Sequence, residues 1–311
     1  MTPPLRQRRL LFVTGKGGVG KTTIAAGLAR AMASAGRRVL LCSVDDRSDL
    51  ADAFSLPPLR FEPTRVDDYL SVMAMDTEAS LREYLKIYLK LPIVGRIGPV
   101  AAAFDFVATA APGVREILTI GKVCYEVREE HYDTVIVDAP ATGHVTGYLA
   151  APQALQSLVR VGLIRSQTDW MLQILSDESL TGVIAVTTAE EMPVSETLQL
   201  LTAIRQDTTT HAAAVVVNRV VSDILVPRDE ALAQRLASER PSPFDDPRLD
   251  GLFAAERFAA QRREVSREHL GVLRDGIPST LPVIIQPYCF GATTSAAIVA
   301  DVAASLAEEI S

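Results

Sequence analysis

Cysteine is scarce in this chain, and its three cysteines lie far apart at Cys42, Cys124 and Cys289. None of them forms a C-x-x-C pair, so the sequence does not indicate a zinc or iron–sulfur site built from neighbouring thiols. Cys42 lies in an apolar run and Cys124 on the apolar face of a predicted helix, so we expect both to be buried as small hydrophobic residues. Unpaired cysteines fit a reducing, cytoplasmic location.

Long apolar runs and an excess of positive charge are also missing. No stretch reaches the roughly 18 consecutive apolar residues of a membrane span, so we expect no transmembrane segment. The net charge is −7, which disfavours nucleic acid as a partner because nonspecific binding depends on Lys and Arg that neutralise phosphates. Residues 291–311 contain neither Lys nor Arg, so we expect no basic amphipathic tail for an anionic membrane surface.

Hydrophobic residues make up 48% of the 311 residues, which is enough for a large core. Short apolar runs alternate with helical patterns, and this alternation is typical of a mostly parallel sheet with helices on both faces. We therefore predict an α/β fold in a single domain that spans residues 1–311. The predicted strands cover residues 10–14, 39–44, 70–74, 134–137, 182–187, 213–217 and 282–286.

Residues 77–130 and 152–180 are predicted to be helical subregions of this domain. In the first of them, apolar side chains recur at the spacing of one helix face. They are Leu81, Tyr84, Leu85, Tyr88 and Leu89. Such a face either packs in the core or lines a groove, and the sequence leaves both possibilities open.

The most specific motif is G-x-x-x-x-G-K-[ST], a phosphate-binding pattern that lies here between a predicted strand and an Ala-rich predicted helix. A glycine-rich loop at a helix N-terminus offers backbone N–H groups and a favourable dipole to anions. In this pattern Lys21 reaches the β- and γ-phosphates of ATP, and the Thr22 hydroxyl ligates Mg²⁺. The residues predicted to bind the nucleotide here are Gly15, Lys16, Gly17, Gly18, Val19, Gly20, Lys21, Thr22 and Thr23.

Two aspartates, Asp45 and Asp138, directly follow apolar runs that are predicted strands. The carboxyl ends of parallel strands are where open α/β sheets place ligands. Together with Thr22, these aspartates are candidate Mg²⁺ ligands. Pro140 and Gly143 predict a stiff turn followed by a flexible one after Asp138, as in a loop that senses the γ-phosphate.

A second lysine inside the loop, Lys16, narrows the class of ATPase. A loop that reads G-K-G-G-V-G-K-T-T resembles the deviant version found in nucleotide-dependent dimeric ATPases. In that class the early lysine reaches across the dimer interface to the nucleotide of the partner. The resemblance therefore implies a homodimer, or a heterodimer with a paralogue, in which Lys16 is a catalytic residue.

The loop, the segment that begins at Asp45 and the run from Asp138 to His144 together resemble the family of arsenical pump-driving and tail-anchored-protein targeting ATPases. The family's first switch reads D-P-A-H-S-L-S-D-A-F, where this chain has D-D-R-S-D-L-A-D-A-F. Its second switch reads D-T-A-P-T-G-H-T, of which the chain keeps the T-G-H. The resemblance covers nearly the full length and implies that Asp45 is the catalytic residue that positions or deprotonates water.

Three further segments match this family less specifically. Glu190 follows a predicted strand as the family's glutamate does, Asn218 lies in a segment like its adenine-reading one, and Pro287 lies in a segment like its base-flanking loop. The resemblance implies that all three belong to the nucleotide site. The chain lacks the zinc-bridging C-x-x-C and an evident cysteine triad for arsenite, and it has one nucleotide-binding half, so it resembles the short bacterial members.

These features predict Mg²⁺-dependent ATP hydrolysis that opens and closes a homodimer acting on a partner protein or on membrane-associated cargo, as in anion pumping or protein targeting. A phosphotransferase or amide ligase on the same fold is an alternative, although no acceptor-binding residues stand out. A module that only holds nucleotide is disfavoured by Asp45. A chromosome- or division-plane partition ATPase is disfavoured by the acidic charge and the nonbasic tail. The sequence does not identify the cargo.

Overall fold

The computed structural model describes residues 3–45, 47–88, 113–158, 163–221 and 247–310. Its strands are β1 (Leu10–Gly15), β2 (Val39–Ser43), β3 (Thr64–Arg65), β4 (Leu70–Ala74), β5 (Thr134–Asp138), β6 (Thr181–Thr188), β7 (Ala212–Val220) and β8 (Val283–Pro287). Its α-helices are α1 (Lys21–Ser34), α2 (Arg47–Ala53), α3 (Thr77–Tyr88), α4 (Val114–Arg128), α5 (Thr142–Leu158), α6 (Leu163–Ser176), α7 (Glu191–Asp207), α8 (Pro247–Gly276) and α9 (Ser295–Glu309).

These strands form one sheet in the order β3-β4-β2-β5-β1-β6-β7-β8. Neighbouring strands are parallel except β3 and β4, which are antiparallel. The central strands β1, β2, β5 and β6 are buried along their whole length, as expected when helices cover both faces. The predicted α/β fold with a mostly parallel sheet is confirmed. The sequence missed β3, because a two-residue edge strand is too short to carry a pattern.

Two apolar clusters cover the two faces of the sheet. On one face α1 and α9 pack together, and the cluster there includes Ile24 and Leu28 of α1 with Val302 and Leu306 of α9. The two helices approach so closely that a Cβ atom on Gly27 would lie 2.4 Å from Cγ1 of Val302. The helix that follows the glycine-rich loop is therefore held between the sheet and a second helix.

The cysteines behave largely as the sequence predicts. Cys42 in β2 and Cys124 in α4 are fully buried, while Cys289 is partly exposed, and all three are free thiols. Burial raises the pKa of the Cys42 and Cys124 thiols, so both are neutral. Within the described ranges, none of the helices is long and apolar enough to cross a membrane.

The helices α3, α4, α5 and α6 surround a cavity of about 190 Å³. Its mostly apolar lining includes Leu81 and Tyr84 of α3, Ile117 of α4 and Met171 of α6. Two members of the predicted apolar face of α3 therefore line a cavity. Leu89, the last member of that face, lies outside the described residues.

The second helical subregion was expected to begin at Pro152, but α5 begins at Thr142 and contains Pro152 in its interior. Packing extends the helix backward, because Val145 and Leu149 are fully buried against the sheet. The turn expected to be flexible at Gly143 is accordingly part of the first helical turn.

Candidate functional site

The glycine-rich loop connects β1 to α1 through backbone conformations that glycine tolerates. Gly18 and Gly20 have φ angles of 86° and 91°, which are costly for any residue with a Cβ. Gly20 is also the N-cap of α1, and a Cβ there would lie 2.4 Å from Nδ2 of Asn218. The loop therefore presents bare backbone beside a helix N-terminus, which is the setting of an anion site.

Two residues at the end of β7 hold this loop from outside. Nδ2 of Asn218 donates to the carbonyl oxygen of Val19 at 2.8 Å, and Oδ1 of Asn218 accepts the backbone N–H of Arg219 at 2.9 Å. The Arg219 guanidinium donates to the carbonyl oxygen of Gly18 at 3.0 Å. Asn218 is almost fully buried, so its side chain is committed to the shape of the loop, a role that sequence reasoning did not assign to it.

Replacing Asn218 by Ala should loosen the loop and weaken ATP binding. The Val19 carbonyl would lose a buried donor, which typically costs about 1–3 kcal/mol, so the free energy of unfolding should fall. Asn218→Asp keeps Oδ1 but loses the donor and is the matched variant. Denaturant unfolding tests the anchoring, and unchanged stability in both variants would contradict it. Competition titration with ATP and GTP tests base reading, since an undiminished preference for ATP removes Asn218 from the base site.

Thr22 and Asp138 meet directly beneath the loop. The Thr22 hydroxyl donates to Oδ2 of Asp138 at 2.7 Å, because β1 and β5 are adjacent and Asp138 pairs in register with Val13. The other oxygen of Asp138, Oδ1, is buried and accepts no hydrogen bond from the described residues. Burial raises the pKa of the Asp138 carboxyl to about 6, although Thr22 and Lys21 lower it in part.

Asp45 reaches the same edge of the sheet but has a different environment. The N–H of Val44 donates to the carbonyl oxygen of Asp138 at 3.2 Å, so the chain beyond β2 runs beside the end of β5. The Asp45 side chain is 52% exposed and forms an ion pair with Arg115 of α4 at 3.1 Å. Arg115 also donates to the carbonyl oxygen of Val44 at 3.0 Å. Among the described hydrogen bonds, Asp45 is thus joined to a helix of the 77–130 region rather than to Thr22.

The two lysines of the loop lie in different surroundings. Nζ of Lys21 donates to the carbonyl oxygen of Lys16 at 3.5 Å, within the loop itself. Nζ of Lys16 instead forms an ion pair with Oε1 of Glu196 in α7 at 2.5 Å. Oε2 of Glu196 accepts a long hydrogen bond from the hydroxyl of Thr142 at 3.4 Å. The Lys21 side chain therefore lies within the glycine-rich loop, whereas the Lys16 side chain is held outside it.

Glu190 and Pro287 lie farther along the same edge. Glu190 is the N-cap residue of α7, and its carboxylate accepts from Arg262 of α8 at 3.1 Å and from Thr188 at 3.3 Å. Pro287 ends β8 and is in register with Val220, which lies two positions after Asn218 in the chain. Of the three residues assigned to the nucleotide on family resemblance, Asn218 is the one with contacts to the loop.

Arg115 and Arg262 were missed at the sequence level, because no local pattern distinguishes them from solvated surface charges. Glu196 and Arg219 lie in segments that resemble the family, but neither was assigned to the site. Glu196 was the easiest of these residues to infer, because β6 lies beside β1. The helix after β6 must then begin beside the loop after β1. That inference requires the strand order, which the sequence did not provide.

The arrangement can bind a polyphosphate and a divalent cation. Backbone N–H groups and Lys21 offer positive potential, while Thr22 and Asp138 offer oxygen atoms, including the unpartnered Oδ1, to a hard cation. In the part of the chain that the structure describes, no cluster of three or more His, Cys, Asp or Glu could hold a metal by itself. That composition suits Mg²⁺, which is usually held by one or two protein oxygens together with substrate phosphates.

Comparison with known proteins supports the same assignment. A sequence model of the family described as anion-transporting ATPase matches residues 8–171 and 163–240. ATPase BagA of Mycobacterium tuberculosis is 36% identical over 236 residues, which are 72% of this chain and 69% of that protein. ATPase get3 of Neurospora crassa is 36% identical and ATPase GET3 of Chaetomium globosum 34% identical, each over 165 residues, which are 52% of this chain and 48% of each relative.

The family match spans the glycine-rich loop, the segment after β2 that contains Asp45, and the strands that carry Asp138 and Asn218. It confirms the resemblance that the loop and switch motifs indicated. The matching residues form a phosphate loop between a buried strand and a packed helix. Because the family model matches more than half of the chain, the chain belongs to the anion-transporting ATPase family and is an ATP-binding ATPase.

Proposed function

We propose that this ATPase works as a homodimeric switch that acts on a partner protein or on membrane-associated cargo. The dimer closes on ATP and Mg²⁺, opens after hydrolysis, and the partner distinguishes the two forms. In this proposal Lys21 holds the β- and γ-phosphates, Lys16 reaches the nucleotide of the opposite subunit, and Asp45 positions the attacking water.

The observation that carries the proposal is the separation of the two lysines. Lys21 is bonded within its own loop, whereas Lys16 is paired with Glu196 outside it. Because Lys21 already serves the phosphates bound by its own loop, that site does not need Lys16. In this proposal Lys16 instead contacts a nucleotide that another subunit presents.

The test of the switch is the molar mass of the protein in each nucleotide state. Light scattering should give separate subunits with ADP and a dimer with Mg²⁺ and a non-hydrolysable ATP analogue. Lys21→Ala removes the positive charge that holds the β- and γ-phosphates and should not respond to either nucleotide. Lys86→Ala at an exposed position of α3 is its control. An unchanged mass in every state would contradict the switch.

Mg²⁺ would be held by Thr22 and Asp138, with Asp45 as a further oxygen ligand. When bound, it neutralises charge between the β- and γ-phosphates. The unpartnered Oδ1 of Asp138 supports this assignment, because a buried carboxylate oxygen without a donor is costly unless a cation or water satisfies it.

Replacing Asp138 by Asn should stabilise the protein without nucleotide and make its ATP affinity insensitive to Mg²⁺. The carboxyl pKa rises from 3.8 to about 6 on folding, so ionisation of Asp138 costs folding free energy above pH 6 and almost none below about pH 4. At pH 7.5, Asn should recover up to about 3 kcal/mol. Denaturant unfolding at the two pH values measures this, and a loss of stability at pH 7.5 would contradict it.

Glu190, Asn218 and Pro287 would lie on the adenosine side of the site. The paired ends of β7 and β8 support a position for Asn218 and Pro287 next to one another. Glu190 is paired with Arg262 and the Asn218 side chain is bonded to Val19 and Arg219, so both would exchange a partner on contact with adenosine.

The alternatives of a phosphotransferase, an amide ligase or a partition ATPase make different predictions. A switch should release ADP and phosphate from ATP alone, whereas a transferase or ligase requires an acceptor. A partition ATPase should bind DNA or anionic vesicles.

Co-expression with paralogues followed by native mass measurement would distinguish a homodimer from a heterodimer.

We propose further that residues 1–311 form one domain, with 77–130 and 152–180 as its helical subregions, and that the protein works in the cytoplasm. The continuous sheet of eight strands supports the first statement. The free thiols support a reducing location.

A further inference from the structure

Glu196 of α7 connects two segments of the candidate site through its two carboxylate oxygens. Oε1 accepts the ammonium of Lys16 at 2.5 Å, and Oε2 accepts the hydroxyl of Thr142 at 3.4 Å. Lys16 follows β1, and Thr142 begins the helix that follows Asp138. One side chain therefore holds the lysine of the loop beside the segment that follows β5.

The position of Glu196 is set by packing rather than by the ion pair alone. Val194 and Thr197 on either side of it are buried against the sheet, and Leu200 one turn later is buried as well. The helix α7 follows β6, and β6 pairs with β1 so that Gly15 is in register with Val186. Packing of α7 thus places the backbone of Glu196 next to the loop, within reach of Lys16.

We propose that Glu196 retains Lys16 within its own subunit and so restrains closure of the dimer. This inference rests on the proposed function, in which Lys16 reaches the nucleotide of the opposite subunit. In this inference the Lys16 ammonium leaves Glu196 when it reaches the partner's phosphates. Closure therefore exchanges an ion pair within one subunit for a contact between subunits. Glu196 is a positioning residue, because it acts through Lys16 and needs no contact with ATP.

The expected size of the effect follows from the exposure of the pair. The side chains of Lys16 and Glu196 are 28% and 30% exposed, so solvent screens their attraction in part. Pairs in such a setting shift a two-state equilibrium by about two- to fivefold. Closure should remain possible in the parental protein and become easier when the charge on Glu196 is removed.

The experiment compares Glu196→Gln with the parental protein. Glutamine keeps the size of the side chain and an oxygen for Thr142, but it removes the charge that attracts Lys16. Two such pairs separate when a two-fold dimer closes, so we expect the dimer to form at about 4- to 25-fold lower protein concentration in Mg²⁺ and a non-hydrolysable ATP analogue. Asp207→Asn at the exposed opposite end of α7 removes the same charge and should follow the parental curve. Melting temperatures of all variants check that the fold is retained.

A double-mutant cycle identifies the route of the effect. In a Lys16→Ala background, Glu196→Gln should no longer shift dimer formation, because the restrained lysine is gone. A shift of equal size in that background would overturn the inference, since Glu196 would then act on closure without Lys16. Weaker dimer formation by Glu196→Gln in the parental background would also overturn it, because the carboxylate would then favour the closed form.

Dimer formation and ATP turnover, measured together, distinguish this inference from the proposed function on which it rests. If Lys16→Ala leaves turnover and dimer formation unchanged, the proposed role of Lys16 fails, and the restraint fails with it. If Lys16→Ala abolishes turnover while Glu196→Gln follows the parental curve, the switch stands and the restraint alone is overturned.

Discussion

Replacing Lys16 by Ala should lower ATP turnover by about 10³- to 10⁵-fold, the range of an arginine finger supplied by a second subunit. The reason is the loss of a positive charge from the transition state of the opposite site. Binding of ADP to the separate subunit should be nearly unchanged, because Lys21 remains in the loop. Single-turnover kinetics and calorimetry with ADP measure the two quantities.

Mixing Lys16→Ala with Asp45→Asn protein shows whether Lys16 acts between subunits. Each mixed dimer then has one site that lacks both groups and one that holds both. With random pairing of a two-fold dimer, about one quarter of parental turnover should return. If mixed dimers form and no activity returns, Lys16 acts within its own subunit or has no catalytic role, and the homodimeric mechanism loses its main support.

Replacing Asp45 by Asn should preserve ATP binding and lower turnover by about 10²- to 10⁴-fold, the range of positioned general-base catalysis. The carboxylate acts on water and not on the nucleotide, so affinity should hardly change. Asp52→Asn at an exposed position of α2 is the control of equal charge. Parental turnover in Asp45→Asn would move the catalytic role elsewhere, with Asp46 or Asp138 as the next candidate.

The pair of Asp45 with Arg115 adds a structural reason to expect a conformational step before hydrolysis. Asp45 is bonded to the first turn of α4 and not to the Thr22–Asp138 pair. Catalytic hydrogen bonds are often incomplete before substrate is bound. Arg115→Ala should therefore change turnover far less than Asp45→Asn does, because it removes a partner and not the carboxylate.

Much of the fold could be predicted because it depends on local patterns. Buried parallel strands read as short continuous apolar runs, and each run that the sequence indicated is a strand, with ends that differ by a few residues. The start of α5 at Thr142 was not predicted, because the burial of Val145 and Leu149 against the sheet is decided by tertiary packing. The strand β3 is an edge pairing of two residues and has no signal of its own.

The phosphate loop could be recognised from sequence because all of its parts are contiguous. Glycines, Lys21 and Thr22 lie in one stretch between a strand and a helix, and their backbone requirements are visible in the residue types. The positions of Asp45 and Asp138 followed from a general rule, since parallel strands bring their carboxyl ends to one edge. Their different environments, one half exposed and one buried, did not follow from it.

By itself, the sequence determined the fold class, the phosphate loop and the family, because these depend on short-range patterns and contiguous motifs. The tertiary structure alone decided which side chains meet: Thr22 with Asp138, Asp45 with Arg115, and Lys16 with Glu196. These partners are 116, 70 and 180 positions apart. Such contacts depend on strand order and on which helix face is buried, and no local pattern in the chain encodes either of them.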